Sequence, residues 1–194
     1  MKTRRRLFAA VVVALLLGLA GSGTAQIKQL TPEKVLASLK PGQWVQLEGV
    51  IQRGFTLDCS EVQILTGDFL DDDWGLTGVV RTIDKMQREA RILSLPVKFD
   101  KDTEFENNTG KFGGFADLKV GMLVELEGTY LKDGTFLAKE VEDESAKMAK
   151  KPKMKNEIQA MGKVEKVDVV KRAITLMGVA FQLSDKTECK SAIK

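Results

Sequence analysis

Apolar and polar residues alternate along much of the chain with the period of two that belongs to a half-buried strand. Val45, Leu47, Gly49 and Ile51 interleave with Gln46, Glu48 and Val50, and Val124, Leu126 and Gly128 interleave with Glu125, Glu127 and Thr129. In the middle of the chain this pattern predicts five strands, over about 77 to 84, 89 to 95, 97 to 105, 121 to 131 and 135 to 142. Asp133-Gly134, between the last two, is a hairpin signal. Thr31-Pro32-Glu33 predicts a helix running to about Leu39, with the threonine as cap and the proline in the first turn. The matching place in the middle of the chain is the stretch Gly110 to Leu118, where a single turn is expected at Phe115 to Leu118.

The strand pattern repeats, in two separate registers. Leu39-Lys-Pro-Gly-Gln-Trp-Val-Gln-Leu-Glu-Gly49 is echoed 79 positions later by Leu118-Lys-Val-Gly-Met-Leu-Val-Glu-Leu-Glu-Gly128, without a gap as far as Glu61-Val62 against Glu140-Val141. Gly78-Val-Val-Arg-Thr-Ile-Asp84 is echoed 84 positions later by Gly162-Lys-Val-Glu-Lys-Val-Asp168, and this register carries on to Thr103-Glu104 against Thr187-Glu188. Residues 76–144 hold both kinds of segment and make one complete unit. The N-terminal region, 30–66, holds only strands four and five of a unit, and the C-terminal region, 158–194, holds only strands one to three. Each half alone would leave an apolar face and open edges in water. The expected fold is therefore all-β with one short helix: two small five-stranded OB-like barrels, one continuous and one assembled from the N- and C-terminal half units. Residues 67–75 are an acidic connection and 145–157 a Lys-rich linker. Closure within one chain and exchange of halves between two chains are both open.

The stretch Gly78 to Asp84, Thr103-Glu104-Phe105, Phe115 to Gly121, Val124 to Gly128, and Asp133-Gly134-Thr135 with Ala138 to Val141 resembles the bacterial family called domain of unknown function 5666, best over residues 76–142. The resemblance implies an exported protein with an OB-like fold. It implies no catalytic residue.

Charge has to be read after the N-terminus is considered. Lys2 and Arg4 to Arg6, the apolar run Leu7 to Ala20 and the small residues Gly21 to Ala25 follow the order of a secretory signal peptide, with cleavage near Ala25. The apolar run is about 14 residues, short of the roughly 20 that span a bilayer. Residues 3–8 loosely resemble a twin-arginine motif, and either export route fits. Residues 1–25 hold four basic residues and no acidic ones, so the whole-chain balance of +3 becomes about −1 in the mature chain. A periplasmic or extracellular protein without a transmembrane helix is expected, and nucleic acid, which needs a basic surface, is not its expected partner.

The chemistry on offer is sparse. The chain has no histidine, which removes the usual general base and metal ligand, so no catalytic residue and no cofactor are assigned and no enzyme is expected. Cys59 and Cys189 fall one in each half of the split unit, in an oxidising compartment, and predict a disulfide. Asp68, Asp71, Asp72 and Asp73 are candidates for a calcium or cationic-ligand site. Lys147, Lys150, Lys151, Lys153 and Lys155 could meet an anionic surface or nucleic acid. Asp100, Asp102, Glu104 and Glu106 alternate and predict one exposed strand face. The sequence thus points to an exported, non-catalytic binding or envelope-associated structural protein, with a cation sensor as the alternative and a partner not identified. By analogy of fold the ligand would lie along strands two and three of a barrel.

Overall fold

The computed structural model describes residues 26–52, 57–106 and 112–193. The signal-peptide expectation, on residues 1–25, lies outside the described residues.

Thirteen strands are described: β1 (Gln26–Leu30), β2 (Trp44–Ile51), β3 (Leu57–Ile64), β4 (Trp74–Asp84), β5 (Glu89–Ile92), β6 (Leu95–Glu106), β7 (Leu123–Tyr130), β8 (Phe136–Asp143), β9 (Glu157–Lys163), β10 (Lys166–Asp168), β11 (Ala173–Leu176), β12 (Val179–Gln182) and β13 (Glu188–Ile193). Two short helices join them, α1 (Pro32–Ser38) and α2 (Ser145–Lys150), with 3-10 turns at Phe115–Asp117 and Pro152–Asn156. The predicted helix is α1: Thr31 caps it by accepting the Lys34 amide at 3.3 Å, and Val35 and Leu36 bury its inner side. α2 is additional to the one helix expected.

The middle of the chain closes on itself. β4 pairs β5, β5 pairs β6, β6 runs parallel to β8, β8 pairs β7, and β7 returns to β4. With strands counted from β4, that cyclic order is one-two-three-five-four, an OB-like barrel. The two chain ends build the same cycle: β9 and β10 supply strand one, β11 strand two, β12 and β13 strand three, β2 strand four and β3 strand five. β10 pairs β11, β11 pairs β12, β12 and β13 run parallel to β3, β3 pairs β2, and β2 pairs β9. The halves meet within one chain here.

The duplication extends to single hydrogen bonds. Thr103 Oγ1 donates to the Ala138 carbonyl at 2.8 Å, and Thr187 Oγ1 donates to the Cys59 carbonyl at 2.8 Å. The Phe99 amide reaches the Arg88 carbonyl and the Leu183 amide the Arg172 carbonyl, both arginines sitting at a φ of 51°. Each barrel also has a bulge at its glycine, between Glu48 and Gly49 and between Glu127 and Gly128. Asp100, Asp102 and Glu104 are exposed as expected, but Asp100 to Thr103 break the β6–β8 ladder, and Thr103 Oγ1 also accepts the Asp100 amide at 2.9 Å, so the four alternating acids do not form one regular strand face.

The barrels join through their first strands. Gly75 pairs Met161, Leu76 pairs Ala160 and Thr77 pairs Gln159. The 84-residue register equates Leu76 with Ala160, so each pair maps onto the set of pairs with the strands exchanged. A pseudo-two-fold axis therefore passes between Leu76 and Ala160. On one side of this junction an apolar seam is lined by the equivalent pairs Ile92 and Leu176, Leu93 and Met177, and Leu95 and Val179. β1 lies outside both cycles and pairs only with β13.

Candidate functional site

The site lies where the two barrels and the covering segment meet. Glu48 of β2 stands opposite Gln159 of β9, Gln159 opposite Thr77 of β4, Thr77 opposite Glu125 of β7, and Glu125 opposite Glu142 of β8. These are the polar positions of half-buried strands, which in an isolated barrel would face water. Here the second barrel lies alongside them and the 144–154 segment passes over them. The result is a cleft of about 600 Å³, lined by Glu48, Glu61, Glu125, Glu144, Glu157 and Glu188 together with Lys147, Lys151 and Lys153. This is not the face of strands two and three where a ligand was expected.

Partial burial sets the electrostatics. Glu125 is pushed up to about 7, chiefly by desolvation; Glu144, Glu142 and Glu127 raise it further, and Lys147 pulls the other way. Glu142 is raised by burial and by Glu144, and Glu48 by burial and by Glu61. Gln159 Nε2 donates to Glu48 Oε1 at 2.7 Å and offsets part of that penalty. Lys190 bridges two of the lining acids, Glu61 at 2.8 Å and Glu188 at 3.2 Å. Lys147 Nζ sits 2.6 Å from Glu144 Oε1. Carboxylates outnumber the ammonium groups facing them, and desolvation makes the imbalance more costly than on an open surface.

The predicted acidic site is not assembled. Asp71 pairs with Lys163 at 2.8 Å, Asp72 with Lys139 at 2.6 Å, and Asp73 accepts the Leu70 amide at 2.7 Å. These partners lie on different elements and draw the carboxylates apart. Asp68 does not join them: among the described residues, the set of three acidic groups close enough to share a cation is Glu125, Glu142 and Glu144.

The predicted disulfide is not formed; Cys59 and Cys189 are free, buried thiols. Cys189 stands opposite Val62 in the parallel β13–β3 ladder, three residues along from Cys59. That offset is about 10 Å along the strands, beyond the separation of about 4.4 to 6.8 Å between Cα atoms that a disulfide needs. Burial pushes the Cys59 thiol up to about 12 and the Cys189 thiol up to about 11. The halves are held instead by strand ladders, by the Thr187–Cys59 hydrogen bond, by Lys190–Glu61, and by Arg172–Glu33 at 2.8 Å.

The sequence reading assigned no role to Glu125, Glu142 and Glu144, and took Glu125 as a polar position of a half-buried strand. One signal was available. The 79-residue register sets Glu125 against Gln46 and Glu142 against Gln63, so the continuous barrel carries acids where the split barrel carries amides.

The fold and site define a tandem of OB-like barrels with an acid-lined cleft at their junction. Residues 77–142, the continuous barrel, match the family model described as Domain of unknown function (DUF5666). No curated protein and no solved structure matches the chain. Among the described residues no helix is long and apolar enough to cross a membrane.

Proposed function

We propose that this is an exported, non-catalytic binding protein that takes up a cationic ligand in the cleft between its barrels. The observation that carries the reading is the cleft's lining: six carboxylates around about 600 Å³, a volume that suits a small ligand. The elevation of Glu125 follows from burial among other acids, which is the condition of a site ready to accept positive charge. Export is supported by the signal-like order of residues 1–25. Two other sources of ligand binding have less support. The acids of 67–75 are spread over separate partners, and the Lys-rich segment has Lys147, Lys151 and Lys153 turned over the acidic cleft.

Calorimetric titration of the exported chain with spermidine, and with citrate as the anionic counterpart, tests the reading. Heat is expected from spermidine and not from citrate, and Glu48→Gln with Glu157→Gln should weaken the spermidine response about tenfold or more. Absence of spermidine binding, or binding that ignores both substitutions, would overturn it. Intact mass of the exported chain should place its first residue at or near Gln26.

A further inference from the structure

Glu125 of β7, Glu142 of β8 and Glu144, just before α2, each bring a carboxylate oxygen within 4.8 Å of the other two. Glu125 and Glu142 face one another directly across the antiparallel β7–β8 ladder. Glu144 is folded back toward them because its amide donates to the Leu123 carbonyl at 2.9 Å. Like charges placed opposite one another weaken a sheet, so the arrangement needs a reason other than strand pairing.

The chain contains its own control. At the equivalent positions the split barrel has Gln46, Gln63 and Leu65. Gln46 and Gln63 pair in the same register, and the Leu65 amide donates to the Trp44 carbonyl at 3.0 Å. The same backbone is thus built there without a single charge. The acids are not required by the fold.

A second observation points to a missing positive partner. The Glu144 side chain is only 4% exposed, and Lys147 engages its Oε1 alone. Its Oε2 is buried with no hydrogen-bond partner, as are Thr77 Oγ1, directly opposite Glu125, and Ser145 Oγ. A buried carboxylate oxygen left unpaired is expensive. If all three acids are ionised, one ammonium leaves the cluster about two charges short. The donors are hard oxygens, and separations within 4.8 Å let all three reach one cation bound at about 2.3 to 2.6 Å.

We infer that Glu125, Glu142 and Glu144 form a binding site for a hard divalent cation of calcium's size, with the Lys147 ammonium as the resident counter-ion that the cation displaces. The site rests on the reading of the cleft as a cation-binding one, and gives it a defined subsite on the side of the continuous barrel.

Calorimetry with calcium chloride on the chelator-treated full mature chain tests it. The wild type should bind calcium with one site per chain. Glu125→Gln and Glu142→Gln, which copy the split barrel and so should leave it folded, should each weaken binding at least tenfold. Lys147→Met removes the competitor and should tighten binding several-fold. A lysine that merely completed a structural ion pair would give no such tightening. The inference is overturned if neither the wild type nor Lys147→Met binds calcium, if binding survives both glutamine substitutions, or if Lys147→Met weakens it. Spermidine binding in a chain that ignores calcium would overturn the subsite and leave the cleft reading standing; loss of both would overturn both.

Discussion

Glu125 shows how much a neighbouring element can change a residue. Its position on β7 is polar in both halves of the repeat, yet only here does it carry a carboxylate that burial lifts to about 7. The usual value for such a group is 4.5, so between these two values the folded state binds a proton that the unfolded state has released. Stability from this group is therefore present at low pH and is lost as pH rises toward 7. The groups that face it are Glu142, Glu144 and Glu127, which add to the effect, and Lys147, which opposes it. Glu125→Gln keeps the shape and removes the titration. With a chelator present, so that no divalent cation contributes, its melting temperature should match the wild type near pH 4.5 and exceed it by about 3 °C above pH 7.5. A pH-independent difference in thermal melts would show that burial does not perturb this carboxylate.

At the scale of elements, the two barrels are copies that differ in how tightly they hold their bulge. Gly49 and Gly128 are equivalent in the 79-residue register, and both sit at the bulge between strands four and five of their barrels. A methyl group on Gly128 would overlap the Leu137 carbonyl, which is backbone and cannot step aside. On Gly49 it would meet the Phe181 ring at 3.1 Å and the Asp58 carbonyl at 3.3 Å, a fit that a small shift relieves. Gly128→Ala should therefore destabilise the protein by about 3 kcal/mol or more and Gly49→Ala by about 1 kcal/mol or less, read from urea unfolding. Equal losses would mean that the bulges are interchangeable. Strand positions and the helix cap at Thr31 were legible in the sequence because each is decided by residues close to one another in the chain or by a repeat. The irregular stretch Asp100–Thr103 was not, since a hydroxyl that bonds to a strand 35 residues away leaves no periodic trace. The course of α2 over the cleft was equally hidden. Its lysines next to Glu140, Glu142 and Glu144 look like segregated charge until the fold turns Lys147 back onto Glu144.

At the scale of the whole molecule, the continuous barrel closes with its own five strands, whereas the N-terminal half is completed only by the C-terminal half. β2 finds one of its neighbours in β9, and β3 finds β12 and β13. Val45, Leu47 and Val62, all fully buried, face a core that contains Ile174, Leu176 and Phe181 from the far end of the chain. The repeat registers carried enough information to foresee this closure. They said nothing about the β4–β9 pairing that sets the barrels side by side, or about β1 against β13, because neither contact belongs to the repeated unit. The cleft is a product of that unforeseen junction, which is why the residues lining it looked like ordinary surface. The dependence is unequal, and truncation exposes it. A chain ending at Asn156 keeps every strand of the continuous barrel but strips β2 and β3 of their C-terminal partners and uncovers the apolar face of β4 at Leu76. Short paired strands with an open apolar face do not hold on their own. Limited proteolysis of the truncated chain should therefore cut rapidly within residues 26–66, while 74–143 survives as a resistant core. In the full chain both regions should resist digestion to the same degree. Protection of 26–66 in the truncated protein would mean that the N-terminal half is stable without the strands that here complete its barrel.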